Sequence, residues 1–129
     1  MEPRDLAVGL ASGRIAIGVV SLLTPGLVGR AMVGPDGDSG EARLFARMVG
    51  ARDLGLGLGV LLALDRGAPV RGWLEVSAAV DGIDAGACLL ARRHLRTTVF
   101  PAAVGLATAG ALLSGWLSRE LGASRSLPQ

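Results

Sequence analysis

The 129-residue chain has few aromatic residues and a single cysteine, and it has no lysine and no tyrosine. Aromatics make up only 3% of it, so its 13 arginines have no aromatic platform on which nucleic-acid bases would stack. The arginines are scattered through apolar stretches and at their ends, and we expect no nucleic-acid partner. Cys88 alone excludes an intrachain disulfide and a cysteine metal cluster. We expect neither a metal nor a cofactor.

The chain has long apolar stretches instead. Half of its residues are hydrophobic and only 19% are charged, against about 25% in soluble domains. Residues 97–118 contain no charged side chain, which does not fit a solvated helix face. Three other stretches are similarly long, and each is sufficient to cross about 30 Å of hydrocarbon at about 1.5 Å per residue. The predicted helices cover residues 6–28, 44–64, 73–91 and 97–117.

The connections between these stretches indicate how the helices are arranged. Residues 65–69 and 92–96 form short links, which favour antiparallel neighbours. The fold class is therefore predicted as all-α, a single domain over residues 1–129 that forms an antiparallel bundle of four transmembrane helices. Arg14 interrupts the apolar core that a signal peptide would need, so the first helix is expected to remain uncleaved. We expect a multi-pass protein of the bacterial inner membrane, with lipids as partners.

The distribution of arginines bears on the membrane orientation, and the spacing of small residues bears on helix packing. Arginines divide five against five between the two sides, Arg125 included, so they predict no orientation. Small residues recur four apart, a spacing that allows close helix contacts within the bundle or in a homo-oligomer. These pairs are Gly9 and Gly13, Gly55 and Gly59, Gly82 and Gly86, and Gly105 and Ala109.

Five charged residues lie near the middle of the predicted helices, within roughly 5 Å of one plane. They are Arg14, Arg52, Asp53, Asp81 and Asp84. Asp81 and Asp84 share a helix face, on which we expect Arg14 and Arg52 to converge. Arg52 and Asp53 point about 100° apart and are expected to meet different partners. Two arginines against three aspartates leave one surplus carboxylate, expected to be Asp81 or Asp84.

A sequence resemblance starts in the second predicted helix. Residues 47–57, which read RMVGARDLGLG, followed by Asp81 and Asp84, resemble small four-helix integral membrane proteins of bacteria and fungi that are grouped as a domain of unknown function. More distantly, the layout is similar to DoxX-like membrane proteins. The resemblance covers most of the chain and implies the four-helix membrane fold. It implies no activity.

Three functions are open at this point. The five charged residues form a ligand- or proton-binding site for a small molecule or lipid, or they only hold the bundle of a non-catalytic membrane subunit together. As a third possible function, the protein is a small membrane enzyme in which Asp81 or Asp84 is the general acid. No nucleophile accompanies those carboxylates, and the single histidine, His94, is expected in a loop. The catalytic residues of such an enzyme, and the ligand, are not predicted.

Overall fold

The computed structural model describes residues 1–123, and every regular element in that range is helical. The all-α fold class is thereby confirmed. Arg125 lies outside the described residues. The elements are α1 (Pro3–Leu23), α2 (Pro25–Val33), a 3₁₀ helix (Pro35–Asp38), α3 (Gly40–Asp65), α4 (Arg71–Leu90) and α5 (Phe100–Ala123).

The predicted first helix, residues 6–28, is in fact two helices. α1 ends at Leu23 and α2 begins at Pro25. A proline has no backbone N–H, and its ring clashes with the preceding turn, so α1 does not continue through Pro25. At the first position of α2 the missing donor costs little. The other three predicted helices are present with shifted ends; α3, for example, starts at Gly40 because Ser39 caps it, accepting a 3.2 Å hydrogen bond from the backbone N–H of Ala42.

α2 and the 3₁₀ helix form a compact corner between α1 and α3. Asp38 pairs with Arg30 and accepts a 2.8 Å hydrogen bond from Nε of Arg43. The hydrogen bond from Arg43, together with the positive charge of Arg30, holds the pKa of Asp38 below its ordinary value. Gly29 and Gly37 bring the two helices into backbone contact, and neither position has room for a side chain. The corner is therefore fixed by both packing and charge.

α1 and α3 pack antiparallel along a seam of glycines. A Cβ atom added at Gly18 would lie 2.7 Å from the carbonyl oxygen of Gly50, and one added at Gly57 would lie 2.6 Å from that of Ala11. Such distances leave no room for a side chain, so these glycines let the two backbones approach.

The glycines predicted from their spacing to make close contacts mostly do not make them. A Cβ atom added at Gly9, Gly13, Gly55, Gly82, Gly86 or Gly105 would have no neighbour within 4 Å outside its own stretch of helix backbone. Gly59, by contrast, makes a close contact with the ring of Trp73. The four-residue spacing describes one helix face, and the face that meets the partner helix is a different one.

The second antiparallel pair consists of α4 and α5. Asp81 lies beside Gly110 and Arg71 beside Gly122, so the two helices run in opposite directions. The two pairs meet at the end that holds the beginning of α1 and the end of α5, where an apolar core excludes solvent. The core residues are Ala7, Ala11, Val60, Ala63, Leu64, Val70, Leu74 and Leu117. Leu74 and Leu117 are completely buried there.

Two of the described helices, α1 and α5, are long and apolar enough to cross a membrane. Their most apolar windows have mean hydropathies of 1.9 and 1.4, and 28% and 11% of those windows is buried. α3 and α4 are long enough, but they carry interior charged residues and are not apolar enough to count as candidate spans by this test. Length and composition therefore identify two candidate spans among the described helices.

Candidate functional site

A cavity of about 750 Å³ lies between the α1–α3 pair and the α4–α5 pair. Most of its walls are apolar, and α2 contributes Val28, Gly29, Met32 and Val33. The backbone N–H of Arg96, in the connection between α4 and α5, donates a 3.3 Å hydrogen bond to the carbonyl of Met32 and ties that connection to α2. The volume falls within the range of roughly 300–1,000 Å³ that is usual for small-molecule sites.

The charged lining of this cavity consists of the five residues predicted as the site, and the structure brings all five together. Arg14 of α1 is central, because its two terminal nitrogens reach two different helices. Nη1 donates to Oδ1 of Asp53 on α3 at 3.3 Å, and Nη2 donates to Oδ2 of Asp81 on α4. One guanidinium thus connects the two helix pairs.

Arg52 of α3 makes the second connection. Its Nη1 and Nη2 donate to the two oxygens of Asp84 on α4, at 2.9 and 2.8 Å. Such a two-bonded arginine–carboxylate pair fixes orientation as well as charge. Arg52 also donates to Oδ1 of Asp53 through Nε at 3.3 Å and Nη2 at 3.1 Å. Arg52 and Asp53 do have different partners on other helices, Asp84 and Arg14, and in addition the flexible arginine side chain folds back onto Asp53.

The inner part of this network is more deeply buried than its outer part. The side chains of Arg14, Asp53 and Asp81 are 8%, 10% and 10% exposed, whereas those of Arg52 and Asp84 are 30% and 35% exposed. Gly110 of α5 allows this depth, because a Cβ there would lie 2.5 Å from Oδ2 of Asp81. The cluster therefore forms a charged floor at the cavity end nearest the apolar core.

Sequence reasoning missed two parts of the cavity. The first is α2, whose separate course depends on the break at Pro25; the Thr24–Pro25 step was the available signal. The second is Cys88, which lines the cavity as a free thiol. Two other charged residues lie elsewhere: Arg47 is exposed and outside the cavity lining, and His94 is exposed in the α4–α5 connection.

The chemical capacity of the site follows from its donors and acceptors. Two guanidiniums and three carboxylates leave one excess negative charge when all are ionised. Within residues 1–123 no group of three or more histidine, cysteine, aspartate or glutamate side chains is placed to hold a metal ion. The arrangement suits a molecule that has a polar head for the charged floor and an apolar body for the walls.

The chain matches no protein-family profile, no curated protein and no solved structure. The geometry of this cavity is therefore the main indication of what the protein does.

Proposed function

We propose that this chain is a multi-pass membrane protein that binds a small amphipathic molecule or lipid in the cavity between its two helix pairs. The observation that carries the proposal is the charged floor at one end of a largely apolar cavity. Four antiparallel helices, α1, α3, α4 and α5, are the proposed spans, in the bacterial inner membrane. The resemblance to small four-helix membrane proteins agrees with this proposal.

The surface of the protein supports the membrane environment. Many large apolar side chains are exposed on all four long helices, as on a surface that faces lipid. They include Val8, Val20, Leu58, Leu62, Val76, Ile83 and Leu112. Little of the apolar window of α5 is buried, as expected if this helix faces lipid rather than a protein core.

The charges near the middle of α3 and α4 are compatible with membrane spans because they face the interior of the bundle. Charged side chains within spans usually point into the bundle and pair there. The four that these helices contribute to the cavity, Arg52, Asp53, Asp81 and Asp84, are all paired. A low average hydropathy in these helices is therefore what a bundle with a charged interior would show.

A second candidate function is structural, and the bridging ion pairs favour it. Arg14–Asp81 and Arg52–Asp84 each join one helix pair to the other, so their role would be to hold a non-catalytic membrane subunit together. The two candidates differ in one respect: only the first requires that a molecule enter the cavity.

Membrane integration is tested by washing membranes with carbonate and with high salt. The protein is expected to stay in the pellet and to need detergent for extraction. Recovery as a soluble monomer without detergent would contradict the proposal.

Cavity binding is tested through Cys88, the only cysteine of the chain. Probes that share an adamantyl body and carry a hydroxyl, ammonium or carboxylate head are added to the full chain in non-ionic detergent. At least one is expected to slow the alkylation of Cys88 by N-ethylmaleimide, because the thiol lines the cavity.

Two leucine variants provide the matched comparison. Gly13 lines the cavity beside Arg14 and has open space above its Cα, so Gly13→Leu should narrow the cavity next to the charged floor without disturbing the fold and weaken protection of Cys88. Gly55 has equally open space but lies outside the cavity lining, so Gly55→Leu should retain protection. If no probe protects Cys88 in the folded wild-type protein, the binding proposal fails and the structural role stands.

A further inference from the structure

The head group that the cavity selects is indicated by the unused hydrogen-bonding positions of its floor. Asp53 receives all three of its side-chain hydrogen bonds at Oδ1, and Asp81 receives its single bond at Oδ2. Among the described residues, Oδ2 of Asp53 and Oδ1 of Asp81 therefore have no donor. Both side chains are nine-tenths buried, a situation in which an acceptor normally has a partner.

These two oxygens are not sealed in the interior, and the residues that carry them line the cavity. In the described part of the chain, the fully enclosed side-chain atoms that lack a partner are Nε of Arg14 and the hydroxyls of Ser77 and Ser114. The free oxygens of Asp53 and Asp81 are not among them, so each retains some accessible surface, and both residues line the cavity. The same Arg14 guanidinium holds both carboxylates, which makes them neighbours across it.

The guanidiniums of the floor are, by contrast, already paired with carboxylates. All three nitrogens of Arg52 and both terminal nitrogens of Arg14 donate to carboxylates. The remaining nitrogen, Nε of Arg14, has no accessible surface. An entering anion would meet guanidiniums that are already paired with carboxylates and, when all five groups are ionised, an excess negative charge, whereas an entering cation would meet free acceptors.

Charge balance points in the same direction. The charged lining residues of the cavity are Arg14, Arg52, Asp53, Asp81 and Asp84, two positive and three negative. When all five are ionised, the unbalanced negative charge is costly in an apolar environment, so one added positive charge, either a proton or a bound cation, is favoured. The apolar walls require that this charge be carried on an apolar body.

We propose that the cavity binds a lipophilic organic cation, an ammonium with at least one N–H, which donates to Oδ2 of Asp53 and Oδ1 of Asp81. This inference rests on the proposed function, since it names the class of molecule that the same cavity takes. The N–H matters because the free positions are hydrogen-bond acceptors. A single positive charge matters because it would balance the excess negative charge of the fully ionised floor.

The experiment compares four adamantyl compounds as protectors of Cys88 against N-ethylmaleimide in the full chain. The 1-adamantylammonium ion is expected to protect at the lowest concentration. The N-trimethylated ion keeps the charge without N–H donors and should be weaker; the neutral alcohol should be weaker still. Adamantane-1-carboxylate should not protect.

Two variants locate the binding. Asp81→Asn should weaken protection by the ammonium by about tenfold or more, a loss that corresponds to one charge-assisted hydrogen bond. Asp65→Asn is the matched control, because it removes the same charge from an exposed carboxylate outside the cavity lining, and it should leave protection unchanged.

The outcomes separate this inference from the proposed function. If all four compounds protect equally, or the carboxylate protects best, the cation inference is overturned while binding in the cavity stands. If none protects, binding itself is refuted. Should Asp81→Asn fail to fold, the order of the four compounds on the wild-type protein still decides the matter.

Discussion

Replacing each buried aspartate by asparagine should destabilise the protein to very different degrees. Asparagine is close to aspartate in shape but neutral, so each variant removes one negative charge with little change in packing. Oδ1 of Asp53 accepts three guanidinium nitrogens from Arg14 and Arg52, at 3.1 to 3.3 Å. Asp84 accepts two, and Asp81 accepts one. The loss of these bonds sets the expected order.

Asp53→Asn should cost about 3–5 kcal/mol, the usual loss when one partner of a buried ion pair is removed. Both arginines depend on that carboxylate, and Arg14 is 8% exposed. Asp84→Asn should cost about 1–2 kcal/mol, a loss between those usual for a buried and for a surface ion pair. The loss is intermediate because Arg52 is partly exposed and still pairs with Asp53 in this variant. Asp81→Asn removes the excess negative charge while Arg14 keeps Asp53, so we expect a loss below about 1 kcal/mol.

The assay is unfolding of the full chain in detergent, followed by the fluorescence of Trp73 and Trp116. Asp65→Asn serves as the control, since that carboxylate is exposed. If all three buried variants are equally and severely destabilised, no carboxylate is surplus, and the structural role of the network is favoured over a binding site. If Asp81→Asn is the least stable of the three, the number of hydrogen bonds that a carboxylate accepts does not determine how much it stabilises the protein.

The remaining predictions concern the α1–α3 seam and the α2 corner. Gly18→Leu should lower the free energy of unfolding by about 1–3 kcal/mol through overpacking against α3, whereas Gly55→Leu, with open space at its Cβ, should stay near wild type in the same assay. Arg43, through its hydrogen bond, and Arg30 lower the pKa of Asp38, so their stabilisation is present above the unfolded-state pKa and is lost as pH falls through the lower folded-state value. On acidification below about pH 4, the wild type should therefore lose more stability than Asp38→Asn, and an equal loss in both would contradict this assignment.

The convergence of the five charges was predictable because it depends on position along the helices. Arg14, Arg52, Asp81 and Asp84 each fall near the middle of a helix of known rise, so their common level follows from counting residues. The individual bonds did not follow, because arginine has several rotatable bonds. Arg52 uses them to reach both its sequence neighbour Asp53 and the distant Asp84.

The tight helix contacts and the cavity were not predictable in the same way. Gly18, Gly50 and Gly57 make the close approach, but glycines at other positions fit the same spacing rule equally well. Which face meets a partner depends on the rotation of each helix, and local spacing does not determine it. The cavity depends further on how far the two helix pairs separate, which is a property of the whole packing.

The position of the charged floor gives the cavity a defined length. On α3 its wall runs from Asp53 to Ala42, which is about 16 Å at 1.5 Å per residue. A molecule whose head is held at the floor fills this span only if its body has a matching length. A shorter body leaves part of the wall near Val33 uncovered, and a longer one has to bend outward past exposed Phe45 or Leu106. The cavity would thus select among molecules by the length of their apolar body.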